Sequence, residues 1–308
     1  MMIRFDGQVA IVTGAGAGLG RSHALGLAAR GAKVVVNDMG AATDGQGSDD
    51  SPAARVVEEI RAAGGEAMAH GADVSDEAQV ADMVARTKDA WGRVDVLINN
   101  AGILRDKTFA KMTVADFRKV VEVHLMGTAI CCHAVWPMMR EQNYGRIVVT
   151  SSASGIYGNF GQSNYGAAKA AMIGLMNVLH QEGAKNNIHI NTLAPTAVTR
   201  MTADLLPEAT HDMLAPETIT PGVLYLVSED APSRVIMGAG GGSYAQTRIY
   251  ETPGITLIGD DNTPEAVAAQ FGEVTNSDGQ TVMDDAFAQT RKYAFNAAKE
   301  LGVDVKWN

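Results

Sequence analysis

Tyr165 and Lys169 stand four residues apart in the run Tyr165-Gly166-Ala167-Ala168-Lys169. On a helix that spacing places both side chains on one face, with their tips within reach of each other. A phenol beside an ammonium ionises below its ordinary value of about 10, because the positive charge favours the phenolate. The pair is therefore a candidate proton-transfer catalyst. Ser152, thirteen residues before Tyr165, can orient a reacting hydroxyl or carbonyl by hydrogen bonding.

A second constellation concerns phosphate. The apolar run 9–12 leads into Thr13-Gly14-Ala15-Gly16-Ala17-Gly18-Leu19-Gly20, and then into a helical segment that runs through Ala29 and stops at Gly31. Strand, glycine-rich turn and helix in this order suit a pyrophosphate: the glycines permit a tight turn and close approach, and the helix start offers N–H groups and a favourable dipole. Gly14, Gly18, Leu19 and Gly20 are the candidate contacts. The next strand, 33–37, ends at Asp38, eighteen residues after Gly20. An acidic residue there accepts bonds from the adenosine ribose hydroxyls and repels a 2′-phosphate, so NAD is expected rather than NADP. Asp73 and Val74, at the end of the third strand, are placed to border an adenine pocket. Asn99-Asn100-Ala101-Gly102 closes the fourth strand, with Asn100 expected to stitch the sheet edge against the cofactor. Pro195, Thr196 and Val198 follow the sixth strand. Thr196 and Val198 can bond the nicotinamide carboxamide or the pyrophosphate through their backbone, and 203–216 reads as a mobile lid with Leu205, Leu206, Met213 and Leu214.

These residues need a frame. Short apolar strands at 9–12, 33–37, 66–72, 94–98, 146–150 and 188–194 alternate with helical segments. The helices include 53–63 after Ser51-Pro52, one capped by Ser75 through Trp91, a long one over 113–142, and one from Ser163 with small residues on one side. The alternation predicts an α/β fold, a right-handed, doubly wound parallel sheet of Rossmann type. Residues 39–51 are polar and rich in Gly and Asp, and read as a loop. Residues 1–242 form the core. The region 243–308 changes character, with helices starting at Thr263-Pro264 and spanning 284–301; Phe287, Ala294, Ala298 and Leu301 share a face of the second. Two short helices do not fold alone, so this extension is expected to dock on the core or on a second subunit.

Composition narrows the partners. The 308 residues carry a formal charge of −10 and are 46% hydrophobic and 19% charged, which argues against nucleic acid and against disorder. Cys131 and Cys132 are the only cysteines and are adjacent, so no disulfide framework exists and a reducing compartment is implied. There is no run of eighteen apolar residues, and no membrane partner is expected. The ending Val305-Lys306-Trp307-Asn308 does not read as a Ser-Lys-Leu peroxisomal address, and a cytoplasmic enzyme is expected. No metal site is expected.

Taken together, Thr13-Gly14-(x)3-Gly18-x-Gly20, Asn99-Asn100-Ala101-Gly102, Ser152 and Tyr165-x-x-x-Lys169 resemble the short-chain dehydrogenases/reductases over about residues 5–242. A closer likeness lies in Asn37-Asp38-Met39-Gly40, Ile103-Leu104-Arg105-Asp106, Val123-His124-Leu125 and Ser151 through Gln162, which are similar to the hydroxyacyl-CoA dehydrogenase domain of peroxisomal multifunctional enzymes, also counted as 17β-hydroxysteroid dehydrogenases. The likeness implies NAD-linked oxidation of a secondary alcohol, a 3-hydroxyacyl-CoA or a steroid, by Tyr165 as base, Ser152 as orienting hydroxyl and Lys169 as ammonium and ribose ligand. It also implies a homodimer or homotetramer. The wider family's catalytic asparagine on the fourth helix is here His124, either a member of a proton relay or a buried histidine bonded to a neighbouring carbonyl. Rival readings are a 3-oxoacyl carrier-protein reductase, opposed by Asp38 and the extension, and a silent NAD-binding sensor, opposed by the intact Ser152, Tyr165 and Lys169.

Overall fold

Val9–Thr13 (β1), Lys33–Asn37 (β2) and Gly145–Thr150 (β5) are almost wholly buried, as strands covered on both faces by helices must be. The computed structural model describes residues 2–47, 51–199 and 207–307. These divide into two compact units, Met1–Gln246 and Thr247–Asn308.

The first unit is built on one eight-stranded sheet of order β3-β2-β1-β4-β5-β6-β7-β8. Its other strands are Glu66–His70 (β3), Val96–Asn99 (β4), Ile188–Pro195 (β6), Ile236–Gly240 (β7) and Ser243–Thr247 (β8). Every pairing from β3 across to β7 is parallel. The order reverses between β1 and β4, so a crevice opens at the carboxyl ends of those strands. The expected doubly wound sheet is thus present. Six strands were legible from apolar runs. β7 and β8 read poorly because their sequence, Ile236-Met237-Gly238-Ala239-Gly240 and Ser243 onward, has neither strong alternation nor a run of β-branched residues. Gly241 and Gly242, at φ +57° and +74°, make the two-residue link between them.

The helices are Gly18–Ala28 (α1), Ser51–Ala62 (α2), Glu77–Trp91 (α3), Val114–Val121 (α4), Gly127–Gln142 (α5), Ala153–Tyr157 (α6), Ser163–Gly183 (α7) and Thr220–Leu226 (α8). One apolar cluster joins Ala10, Val12, Val34 and Val36 to α1, α2 and α8; the other joins Ile11, Leu97, Ile147 and Val149 to α3, α5 and α7. The cap of α3 is Asp76, which accepts from Ala78 and Gln79 N–H, and not Ser75. Asp73 takes up the Ser75 hydroxyl at 2.7 Å, which leaves the capping to its acidic neighbour. The expected helix 113–142 is continuous but contains a π-helical turn over Glu122–Met126. Val114–Gln142 is long and apolar enough, by length and composition, to cross a membrane; here its Val120, Cys131, Cys132, Val135 and Met139 are buried in the second cluster.

In the second unit, Pro264–Ala269 (α9), Phe271–Val274 (α10) and Ala286–Leu301 (α11) are present. Thr263 caps α9 through Ala266 N–H, and Asp285 caps α11 through Ala288 N–H. Of the face expected on α11, Ala298 is buried while Phe287 and Leu301 are exposed. The Lys292 ammonium holds Glu251 at 2.8 Å and so ties α11 to the start of this unit.

Candidate active site

The carboxyl ends of β1, β2, β4, β5 and β6 border one cavity of about 410 Å³. Of the residues singled out from sequence, Gly14, Gly18, Leu19, Asp38, Asp73, Val74, Asn100, His124, Ser152, Tyr165, Lys169, Pro195 and Thr196 line it. Gly20 and Val198 do not. A Cβ on Gly20 would come within 2.2 Å of the Gly14 carbonyl oxygen, so this glycine lets α1 pack on the turn that precedes it. Val198 N–H donates to the Leu214 carbonyl at 2.8 Å, and Thr196 N–H donates to Ala239 at 2.8 Å. Neither backbone N–H is directed at the cavity. Leu205 and Leu206 of the expected lid lie outside the described residues; Met213 is exposed.

At the cavity's first end, α1 begins without a side-chain cap: Ala17 occupies the cap position with extended φ and makes no such bond. The first N–H groups of an eleven-residue helix are thereby left for an anion. Gly18 has φ +54°, and a Cβ there would meet nothing nearer than 3.5 Å, so its demand is conformational. The Asp38 carboxylate accepts from Gly16 N–H and Gly40 N–H, each at 2.7 Å. It fixes the turn, and each oxygen keeps a lone pair for another donor. Asn100 also stitches: its side-chain amide donates to the Thr13 and Gly14 carbonyls at 3.1 and 3.0 Å. The Thr13 hydroxyl in turn accepts from Asn100 and Ala101 N–H at 3.0 and 3.1 Å. An uncapped helix start, a glycine turn and a ribose-height carboxylate fit a nicotinamide dinucleotide.

At the second end stand Ser152, Tyr165 and Lys169. Ser152 closes β5, caps α6 and accepts from Ser154 N–H at 3.1 Å. It also shares a hydrogen bond with the Tyr165 hydroxyl. Lys169, one turn along α7, is 4% exposed; its ammonium donates to the Thr150 carbonyl at 2.6 Å and lies 5.6 Å from the centre of the Tyr165 ring. The electrostatics differ from the sequence expectation. Burial raises the Tyr165 pKa, the Ser152 bond lowers it, and Asp106 raises it further; burial pushes Lys169 down to about 7. A Lys–Tyr pair taken out of water is driven toward neutrality on both sides, and this desolvation outweighs the depression of the phenol expected from the spacing alone.

His124 packs edge-on to Tyr165, with ring centres 5.2 Å apart. Its Nε2 lies 2.8 Å from the Ile103 carbonyl oxygen and 3.1 Å from the Ile103 backbone nitrogen. Burial, with Lys169 nearby, holds it down to about 3, so the ring is neutral. The carbonyl-bonded alternative is therefore part of the answer, yet Nδ1 is buried without a partner beside the cavity. The π-helical turn shifts the phase of the helix at this residue. Gly102 is small because of it: a Cβ there would meet His124 Cε1 at 2.3 Å.

The family model described as short chain dehydrogenase matches residues 8–210. The chain is a short-chain dehydrogenase. A protein of Mycobacterium tuberculosis named as a putative short-chain type dehydrogenase/reductase is 46% identical over 278 residues, 89% of this chain and 96% of its own length. The peroxisomal multifunctional enzyme type 2 of Drosophila melanogaster is 53% identical over 227 residues, 74% of this chain but 38% of that protein. The structure of the full-length Drosophila enzyme superposes with a TM-score of 0.80 at 39% identity, covering 97% of this chain and 51% of that one. This chain spans 62% of the length of the Dictyostelium discoideum peroxisomal multifunctional enzyme A, to which it is 45% identical over 279 residues. A 7α-hydroxysteroid dehydrogenase complexed with NADH and 7-oxo glycochenodeoxycholic acid superposes with a TM-score of 0.70 at 30% identity, covering 78% of this chain and 95% of that one. The family's reaction is oxidoreduction at a CH–OH group, and its members typically use NAD(H).

This dehydrogenase also uses residues to which the sequence reading gave no role. Gln162 Nε2 donates to Asp106 at 2.6 Å while its carbonyl accepts from the Ser154 hydroxyl at 2.7 Å and from Asn159 at 3.0 Å. The Thr13 hydroxyl and the Ile103 backbone are equally silent in sequence. Their signal is positional: Thr13 opens the glycine motif at a strand end, Ile103 follows Gly102, and Gln162 stands three residues before Tyr165 at a helix start.

Proposed function

We propose that this dehydrogenase oxidises a secondary alcohol to a ketone with NAD, and that the alcohol is a 3-hydroxyacyl-CoA. The observation that carries the reading is the Ser152–Tyr165–Lys169 cluster at one end of a cavity whose other end presents Asp38 and an uncapped helix start. The choice of acyl-CoA rests on the 45–53% identity to peroxisomal multifunctional enzymes, alongside one from Saccharomyces cerevisiae named hydratase-dehydrogenase-epimerase. The Synechocystis 3-oxoacyl-[acyl-carrier-protein] reductase is less similar, at 37% over 241 residues.

In this reading the Ser152 hydroxyl orients the substrate oxygen, and the Tyr165 phenolate takes its proton. NAD, when bound, supplies the hydride acceptor. Burial and Asp106 oppose the phenolate while the Ser152 bond favours it, so oxidation strengthens as pH rises and ketone reduction as it falls. Nδ1 of His124 and the hydroxyl of Thr150, both buried without partners, flank Lys169 and are suited to hold water in a proton relay. The Asp38 carboxylate disfavours a 2′-phosphate, which supports NAD over NADP. Two buried cysteines without a disulfide suit a cytoplasmic enzyme. The small face of α7 and the C-terminal extension support a homodimer or homotetramer, for which a monomer by light scattering is the refuting result.

The test is NADH release over short, medium and sterol-derived 3-hydroxyacyl-CoAs, with free steroids and simple alcohols alongside. Turnover of a CoA ester is expected. Failure of every CoA ester while a steroid or alcohol reacts overturns the acyl-CoA reading in favour of a hydroxysteroid or alcohol dehydrogenase.

A further inference from the structure

The connection from β2 to α2 runs from Asp38 to residue 50, well beyond the roughly 2–6 residues usual for such links. Connections this long are uncommon in compact domains, and those that wall a site are generally functional. Its described part, residues 38–47, does not project outward. Met39, Ala41, Ala42, Thr43 and Gly45 form a wall of the dinucleotide cavity.

The far end of this segment is fastened. Leu104 N–H donates to the Thr43 carbonyl at 2.9 Å, and Arg105 Nε donates to the Asp44 carbonyl at 3.0 Å. The segment is folded on itself by Ala42 N–H to Gln46 at 2.8 Å and Gly45 N–H to Ala42 at 2.9 Å. Gly45, at φ +84°, brings this turn so close to Ile103 that a Cβ would lie 3.1 Å from its Cγ2. The residues it grips, 103–105, follow β4, while the segment itself leaves β2. In the sheet β1 lies between those two strands. The segment therefore crosses the carboxyl end of β1, above the turn that begins at Gly14.

Arg105 is itself held. Its guanidinium also reaches Asp116 at 3.2 Å, and that carboxylate is fixed by the Thr113 hydroxyl at 2.8 Å. The Arg105 carbonyl accepts from Asn164, the buried neighbour of Tyr165, at 3.0 Å. One residue thus connects the crossing segment, α4 and the catalytic helix.

We infer that residues 38–47 are a strap across the bound dinucleotide, and that Arg105 is the positioning residue that fastens it. The inference rests on the dinucleotide reading of the cavity. Arg105 does not line the cavity; it acts through the Asp44 carbonyl, beside the Leu104 contact to Thr43. A fork-shaped guanidinium can serve a backbone carbonyl and a carboxylate at once, which an ammonium cannot do in the same geometry.

The experiment uses the full chain and NADH itself as probe. NADH dissociation is followed by stopped-flow fluorescence and affinity by calorimetry, for the native chain, Arg105→Ala, Arg105→Lys and Gly45→Val. The last strains the same fastened end without touching Arg105, through the positive φ and the Ile103 contact. Amide exchange over 38–47 is measured without ligand. Release is expected to quicken about tenfold in Arg105→Ala and Gly45→Val, the weight of one or two net hydrogen bonds, with Arg105→Lys recovering little. Exchange in 38–47 rises in the same variants, and the KM for NAD rises more than kcat falls. Unchanged release in both variants overturns the strap, even where the melting temperature drops. Full recovery by Arg105→Lys overturns the carbonyl fastening. A native chain that binds no NADH overturns the dinucleotide reading instead.

Discussion

Lys169→Met should make the protein inactive and, near neutral pH, more stable. Burial pushes the ammonium from its ordinary 10.5 down to about 7. Between those values the unfolded chain holds a proton that the folded chain has released, so unfolding takes one up. Stability must then rise with pH across the window. From about pH 7 to about pH 9.5 this one group contributes a rise of about 3 kcal/mol, or roughly 6 °C in Tm at about 2 °C per kcal/mol for a chain of this size. Below about pH 6 both states hold the proton and the contribution is flat. Methionine keeps an unbranched apolar stem without the charge. The assay is urea unfolding of both chains at each pH, read as the difference between them, which cancels groups common to both. Burial pushes both cysteine thiols up, Cys132 to about 12, so above about pH 9 the unfolded chain releases thiol protons that the folded chain keeps; this loss is the same in both chains and cancels in their difference. His124 is already neutral throughout it. The native chain should approach the variant's stability as pH rises. Parallel stability curves would refute the reasoning, since a lysine that titrates alike in both states cannot be the desolvated partner of Tyr165.

Tyr165→Phe should bind NAD normally and lose at least about a hundredfold in kcat, the usual lower weight of a general base, measured by NADH formation; retained kcat rejects the assignment. Asp38→Ala removes the acceptor of Gly16 and Gly40 N–H as well as the 2′-phosphate's repulsion, so it should both erode the NAD/NADP ratio and lower the urea midpoint. An unchanged ratio places discrimination elsewhere. His23 and His124 are each held down to about 3 by burial, against 6.5 in the unfolded chain. As pH falls through that window the unfolded chain binds protons that the folded chain does not, and the two together should cost about 4 kcal/mol at about pH 5. His124→Asn should halve the loss, and an equal loss in the variant refutes it.

The parts of the site visible in sequence were those whose residue type is forced by chemistry: a phenol, an ammonium, an acidic strand end, a glycine at positive φ. What was hidden depends on packing. Thr13 looks like any strand-end threonine until its hydroxyl is seen to receive two N–H groups from the neighbouring strand's end. Gly102 was legible only as a small residue closing the fourth strand, and that it makes room for a carbon of His124 shows only in the packing. The helical periodicity of 114–142 could not show the π-helical turn, which changes the phase of one turn without changing the apolar pattern. The sign of the Tyr165 shift was hidden for a related reason. Spacing gives the distance between two charges and nothing of the dielectric around them.

Burial of Tyr165, Lys169 and His124 is thus both the site's electrostatic principle and its structural burden. Each is desolvated, and an isolated ionised group in that position is unfavourable by several kcal/mol. The chain tolerates this because the strands beneath are apolar on both faces and the polar ends are cross-bonded. Asn100 takes the carbonyls of the glycine turn, Asp38 takes its N–H, and Thr150 receives the ammonium. The first three of those bonds tie the ends of β1, β2 and β4 to one another, and the last ties α7 to β5. One end of the cavity is built from backbone and short side chains and the other from long ones drawn inward, as the proposed dinucleotide and proton-transfer roles require. A dinucleotide needs a shaped bed and a phenol needs a tuned pKa, and the carboxyl end of one sheet has room for both because β4 separates the glycine turn after β1 from Ser152 after β5.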